Sequence, residues 1–135
     1  MSDDEAPPRD GALDVERVIC RLGDIDDPGA RGFTIGRGDW PLRGFVVRVG
    51  NEAHAYVNSC PHARHPLNFG PNRFLTPGGE LILCSSHGAL FDKRTGFCVA
   101  GPCTGQSLAS VPTRIEAGFV MLADDVDVQA LADRF

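Results

Sequence analysis

No apolar run in this chain approaches the length needed to cross a membrane. The opening MSDDEAPPRDGALD has neither a basic start nor an apolar stretch, so neither a signal peptide nor a membrane anchor is expected. Basic charge is also scarce, with 13 Lys and Arg against 18 Asp and Glu and a formal net charge of −5. A general nucleic-acid binder needs a basic footprint to displace counterions from phosphates, and that class is excluded. There is no nucleotide-binding loop, flavin motif, nucleophile and base pair, internal repeat or low-complexity segment. With 135 residues, there is room for one core and little space for a second active site. The expected compartment is the cytoplasm, where five cysteines more often signal metal or redox chemistry than a disulfide scaffold.

What is abundant is turn chemistry. Sixteen glycines and ten prolines in a chain that is 42% hydrophobic and 23% charged point to short strands and an all-β fold. Residues 1–14 are acidic, contain proline and lack periodicity, and they are expected to form a mobile tail. The ordered domain is expected over 15–122. VERVICRLGDI reads as an early strand, and DDPG and GRGDWP supply turns around FTI. RGFVVRVGNEAHAYVNS reads as a hairpin turning at Gly50-Asn51, a dipeptide suited to positive φ, and it delivers Cys60 at its exit. Further strands are expected at ELILC, ALFD, GFCVA, VPTRIEA and FVMLA, the last two separated by Gly118. A helical tail is expected over 123–135, capped by Asp124 or Asp125, with Val128, Leu131 and Phe135 on one face.

Chemistry gathers between Cys60 and Asp92, which hold two of the five cysteines and three of the four histidines. Cys60-Pro61-His62 and Cys84-Ser85-Ser86-His87 are two Cys/His pairs, each just beyond an expected strand. Two thiolates and two imidazoles suit zinc, or a 2Fe-2S cluster with both cysteines on one iron and both histidines on the other. Zinc ribbons and fingers generally pair like with like, so mixed pairs lean toward iron–sulfur, although the residues alone leave both open. If two similar loops face each other, each can give its Cys to a buried iron and its His to an outer one.

The spacing C-x-H, a linker, then C-x-x-H resembles the Rieske 2Fe-2S proteins, and the resemblance extends over about Val15 to Leu122. CSSHGALFDKRTGFCVAGPCTGQSL looks like that family's second loop and its continuation, and VPTRIEAGFVML looks like its closing strands. The resemblance implies a Rieske-like antiparallel β-sandwich with a small cluster-binding part over about 58–104, made of two loops, and a short C-terminal helix. It implies one 2Fe-2S cluster per chain, Cys60 and Cys84 on the inner iron, and His62 and His87 on the outer iron where the electron leaves. Gly101-Pro102 would be the loop shielding a third side. His65, beside the first loop, is at no ligand position and reads as a surface residue, and His54 within a strand carries no motif.

Departures from the family pattern are informative. Arg64 stands where the family's first loop usually has glycine, placing a cation beside the expected exit. The 21-residue linker from His62 to Cys84 is longer than in many members, and FLTPGGE within it looks like an added surface turn near the partner side. From Cys60 to Cys103 four basic residues (Arg64, Arg73, Lys93, Arg94) face two acids, whereas the first forty residues carry ten acids. The expected result is a mild dipole able to orient a redox partner.

A catalytic oxygenase subunit would need a second, mononuclear iron site on a far larger chain. The resemblance therefore implies an electron carrier rather than an enzyme, taking electrons from a flavin-dependent reductase and passing them to a terminal oxidoreductase such as a ring-hydroxylating oxygenase. The alternative is a small Rieske-like subunit of an enzyme complex such as assimilatory nitrite reductase. Cys98 and Cys103, flanking Gly101-Pro102, are expected as free thiols, the alternative being a disulfide that pins this loop. A low potential is also expected. The positions joined by a disulfide in high-potential members are His65 and Ser86 here, and those bearing hydroxyls that bond cluster and cysteine sulfur are Ala89 and Phe91.

Overall fold

The computed structural model describes residues 17–36, 41–61, 65–123 and 126–133. The expected tail over 1–14, the candidate caps Asp124 and Asp125, and Phe135 lie outside them. The strands are β1 (Val18–Arg21), β2 (Gly29–Ile35), β3 (Leu42–Val49), β4 (Glu52–Val57), β5 (Ile82–Leu83), β6 (Leu90–Phe91), β7 (Cys98–Ala100), β8 (Ser110–Val111), β9 (Thr113–Glu116) and β10 (Phe119–Leu122). One helix, α1 (Val128–Asp133), follows them. Every strand pairing among the described residues is antiparallel, in three sheets ordered β1-β10-β9, β2-β3-β4-β8 and β5-β6-β7.

The four-stranded sheet is the middle layer. Alternate residues of a strand point to opposite faces. In β3, Phe45 and Val47 enter one core while Leu42 and Val46 enter the other. In β4, Tyr56 joins the first core, and Ala55 and Val57 join the second. Burial on both faces explains why FVV reads as a continuous apolar run rather than a polar alternation. The second core closes against Cys20, Val120 and Leu122 of the β1-β10-β9 sheet, with Val128 and Leu131 of α1 packed beside it. The first core holds Phe74, stacked on Phe45 with ring centroids 4.4 Å apart, and reaches Cys60 and Cys84.

The hairpin turn is at Gly50-Asn51, with Val49 paired to Glu52 and the positive φ (63°) taken by Gly50. VPTRIEA is two strands rather than one. Pro112 lacks an N–H and breaks the ladder, so β8 pairs with β4 and β9 with β10. The proline's carbonyl still accepts from Ala123 N–H at 2.9 Å, tying the two sheets together. The observed helix cap is Asp127, whose Oδ1 accepts from Ala130 N–H at 3.0 Å. No helix among the described residues is long and apolar enough to cross a membrane.

Candidate metal centre

The exit of β4 sets the first loop. Asn58 N–H donates to Arg43 carbonyl at 3.0 Å, holding the chain against β3 for one more step before Cys60. The Asn58 side chain then reaches across the loop, accepting from Leu67 N–H at 2.7 Å and donating to Asn68 Oδ1 at 3.1 Å. Within the loop, Cys60 N–H donates to His65 carbonyl at 2.9 Å. The second loop leaves β5 and repeats this device, with Cys84 N–H donating to the carbonyl of Ala89, again five residues on, at 2.9 Å. The two loops are joined directly. Ser85 N–H donates to Leu67 carbonyl at 3.0 Å, and Ser85 Oγ to Asn68 carbonyl at 3.4 Å.

This arrangement puts two thiols from distant strands into one buried cluster, Cys60 being 2% exposed and Cys84 0%. Burial raises the Cys84 pKa, backbone N–H groups of Ser86 and His87 directed at its sulfur oppose that rise, and the adjoining Cys60 thiol adds to it. Two neighbouring thiols in an apolar surround, with amide donors already aimed at sulfur, suit a cationic group that takes both as thiolates. His87 is exposed at the outer side of its loop. His62 and Arg64 lie outside the described residues, and among those described no group of three or more His, Cys, Asp and Glu side chains converges. The donor chemistry fits an iron–sulfur cluster with sulfur ligation inside and imidazole toward solvent.

A third segment covers the second loop. Gly101 has φ 101°, and a Cβ built there would lie 2.7 Å from Ala89 Cα, so only glycine permits this approach. From this turn Cys103 points inward, its pKa pushed up to about 12 by burial first and then by the Cys98 and Cys60 thiols. Cys98 and Cys103 are both free thiols. Asp92 fixes the turn after β6, accepting from Arg94 N–H at 2.8 Å and Thr95 N–H at 3.0 Å. Tyr56 OH donates to Lys93 carbonyl at 2.8 Å, anchoring the same turn to the middle sheet.

His65 is exposed, as a surface residue would be, and serves the loop through its carbonyl. His54 Nε2 lies 2.9 Å from Glu52 Oε1. The linker turn is less free than FLTPGGE suggests. Thr76 and Leu81 pair across it, Gly79 packs on Pro28, and Lys93 Nζ donates to Gly79 carbonyl at 2.7 Å. Glu52 also meets Arg94 at 3.3 Å, so the basic excess counted from sequence is partly answered within the fold. Sequence reasoning missed the Asn58 clasp. An amide side chain two residues before a candidate ligand was the available signal.

Comparison with known proteins agrees with this geometry. The Rieske [2Fe-2S] domain family matches residues 7–117. Ferredoxin CarAc of Metapseudomonas resinovorans is 33% identical over 86 residues, spanning 64% of this chain and 73% of its own. Among solved structures, the Sphingomonas yanoikuyae B1 ferredoxin is similar at TM-score 0.59 and 26% identity, covering 79% of this chain and 96% of its own. A chain from the complex of reduced oxygenase and oxidized ferredoxin in carbazole 1,9a-dioxygenase matches at TM-score 0.61 and 27% identity, covering 78% of this chain and 99% of its own.

Proposed function

Because the chain belongs to the Rieske [2Fe-2S] domain family, we propose that Cys60 and Cys84 hold one iron of its cluster and His62 and His87 the other, and that it carries electrons from a flavin-dependent reductase to a terminal oxygenase. The cluster supplies a centre that takes up and gives back one electron at a time. The observation that carries the ligand assignment is the pair of joined loops, each closing the same hydrogen bond behind a buried cysteine. These loops keep water from the sulfur side through Leu67, Ala89 and Phe91, all buried, and leave the His87 side open to a partner.

The terminal-oxygenase assignment draws support from relatives, one of which is described in complex with its oxygenase. The reductase follows from the need for an electron source. We place the carrier in the cytoplasm, where five cysteines in so short a chain more often serve metal or redox chemistry than a disulfide scaffold.

The test is anaerobic purification followed by iron and sulfide analysis and EPR. Two irons and two sulfides per chain are expected, with a signal only after reduction and a low average g value from mixed nitrogen and sulfur ligation. Stoichiometric zinc without iron would end this reading. Cys84→Ala and His87→Ala should each abolish the visible spectrum and lower thermal stability, because ligand-binding free energy is also folding free energy. Mixing the reduced protein with an aromatic-ring oxygenase under stopped flow then tests the partner separately from the cluster.

A further inference from the structure

Two thiols beside the centre have no part in the proposed ligation. Cys103 S–H donates to Cys98 Sγ at 3.0 Å, and Cys98 S–H in turn to Ala100 carbonyl at 3.2 Å. We propose that Cys98 and Cys103 form a second redox site, a two-electron dithiol that closes to a disulfide across the Gly101-Pro102 turn when it meets peroxide.

The backbone has already drawn the two ends together. Cys98 N–H donates to Gln106 carbonyl at 2.8 Å, Gln106 N–H to Cys103 carbonyl at 2.9 Å, and Thr104 Oγ1 to Gly101 carbonyl at 2.6 Å. The entropy of closing the loop has therefore been lost on folding. Bonded sulfurs sit at about 2.05 Å, so a relative movement of about 1 Å completes the bond.

Access follows from the shape of the turn. Gly101, Pro102, Thr104, Gly105 and Gln106 are all exposed, and Cys103 is the one residue between them that points inward. Opening this surface turn exposes its sulfur without disturbing the core strands. Once the turn is open to water, Cys103 gives up its proton and its thiolate attacks a peroxide oxygen; the O–O bond breaks, the leaving hydroxide takes up that proton, and a sulfenic acid and one water result. The Cys98 sulfur then attacks the sulfenic sulfur, the S–S bond forms, and a second water leaves. In total two thiols and one hydrogen peroxide give one disulfide and two waters, with sulfur oxidised and peroxide oxygen reduced. Since Gly101 lies against Ala89 of the second loop, the oxidised form ties this cover down covalently.

Trypsin supplies a clean readout. The peptide Thr95–Arg114, bounded by Arg94 and Arg114, contains Cys98 and Cys103 and no other cysteine. Cluster-loaded protein is treated with limiting hydrogen peroxide, denatured, alkylated, digested and weighed. The expected peptide is lighter than the dithiol form by two hydrogen atoms and unalkylated, while Cys20 is alkylated, and dithiothreitol restores both thiols. A peptide still doubly alkylated at peroxide doses that bleach the cluster would overturn the proposal, as would a sulfinic acid in place of the disulfide. In Cys103→Ser the cluster should remain and Cys98 should stay alkylatable. Loss of iron from that variant would make Cys103 a ligand and overturn the assignment.

Discussion

Asn58 is the residue on which the two-loop arrangement turns. Its amide oxygen is the acceptor for the N–H of Leu67, a fully buried residue whose carbonyl receives Ser85 from the other loop. Asn58→Ala leaves that N–H unpaired, at a cost of about 1–3 kcal/mol. Chemical denaturation should show that loss, and cluster release at fixed temperature should be faster. Asn58→Asp keeps the acceptor but not the donor to Asn68, and should fall between the two. Asp92 acts through charge. The N–H groups of Arg94 and then Thr95 hold its carboxyl below the ordinary carboxylate range. A depressed folded pKa means that the stabilisation is present above the unfolded carboxylate pKa and is lost as pH falls through the folded one. The stability gap between the protein and Asp92→Asn should therefore narrow on acidification below about pH 4, and a gap that widens there would refute the assignment.

At the level of elements, short strands between glycine and proline turns were legible because turn chemistry is local. The hairpin at Gly50-Asn51 and the positions of β5, β6, β7 and β10 follow from it. The division at Pro112 and the cap at Asp127 were not legible. One depends on which sheet each half joins, and the other on which of several nearby acids meets a free N–H. The site divides the same way. Spacing pointed to Cys60 and Cys84 as a pair, and the fold brings them together. The clasp from Asn58 to Leu67, and the nearness of Cys103 to Cys60, arise from contacts that no local pattern encodes. The Gly101 contact makes a quantitative prediction. Gly101→Val places a branched side chain at positive φ against the Ala89 backbone, adding backbone strain of about 1–3 kcal/mol before any clash. A melting temperature unchanged from that of the native chain would refute this account of the turn.

Across the whole molecule, charge and potential decide where a carrier sits in a chain of electron transfer. Charge steering at the cluster end draws little from Lys93, which lies with its Gly79 partner at the end of the β5-β6 hairpin away from the Cys84 loop. Steering of this kind weakens as salt shortens the Debye length. The potential is set nearer the centre. Family resemblance assigns positions 89 and 91 to hydroxyl groups in high-potential members, and here both are apolar and buried, Ala89 beside Gly101 and Phe91 in the core beneath the loops. A hydroxyl donating to sulfur stabilises the added negative charge of the reduced state, so its absence lowers the potential. His65 beside the first loop is exposed, so water screens its influence on the cluster. Voltammetry at pH 7 should accordingly give a midpoint in the lower part of the Rieske range of roughly −150 to +300 mV, below about +100 mV. Ala89→Ser with Phe91→Tyr should raise it. Tyrosine must place its hydroxyl within a packed core, so the double variant is first checked for an unchanged EPR line shape. An intact cluster with an unmoved midpoint would show that something other than these two missing hydroxyls governs the driving force delivered to the partner.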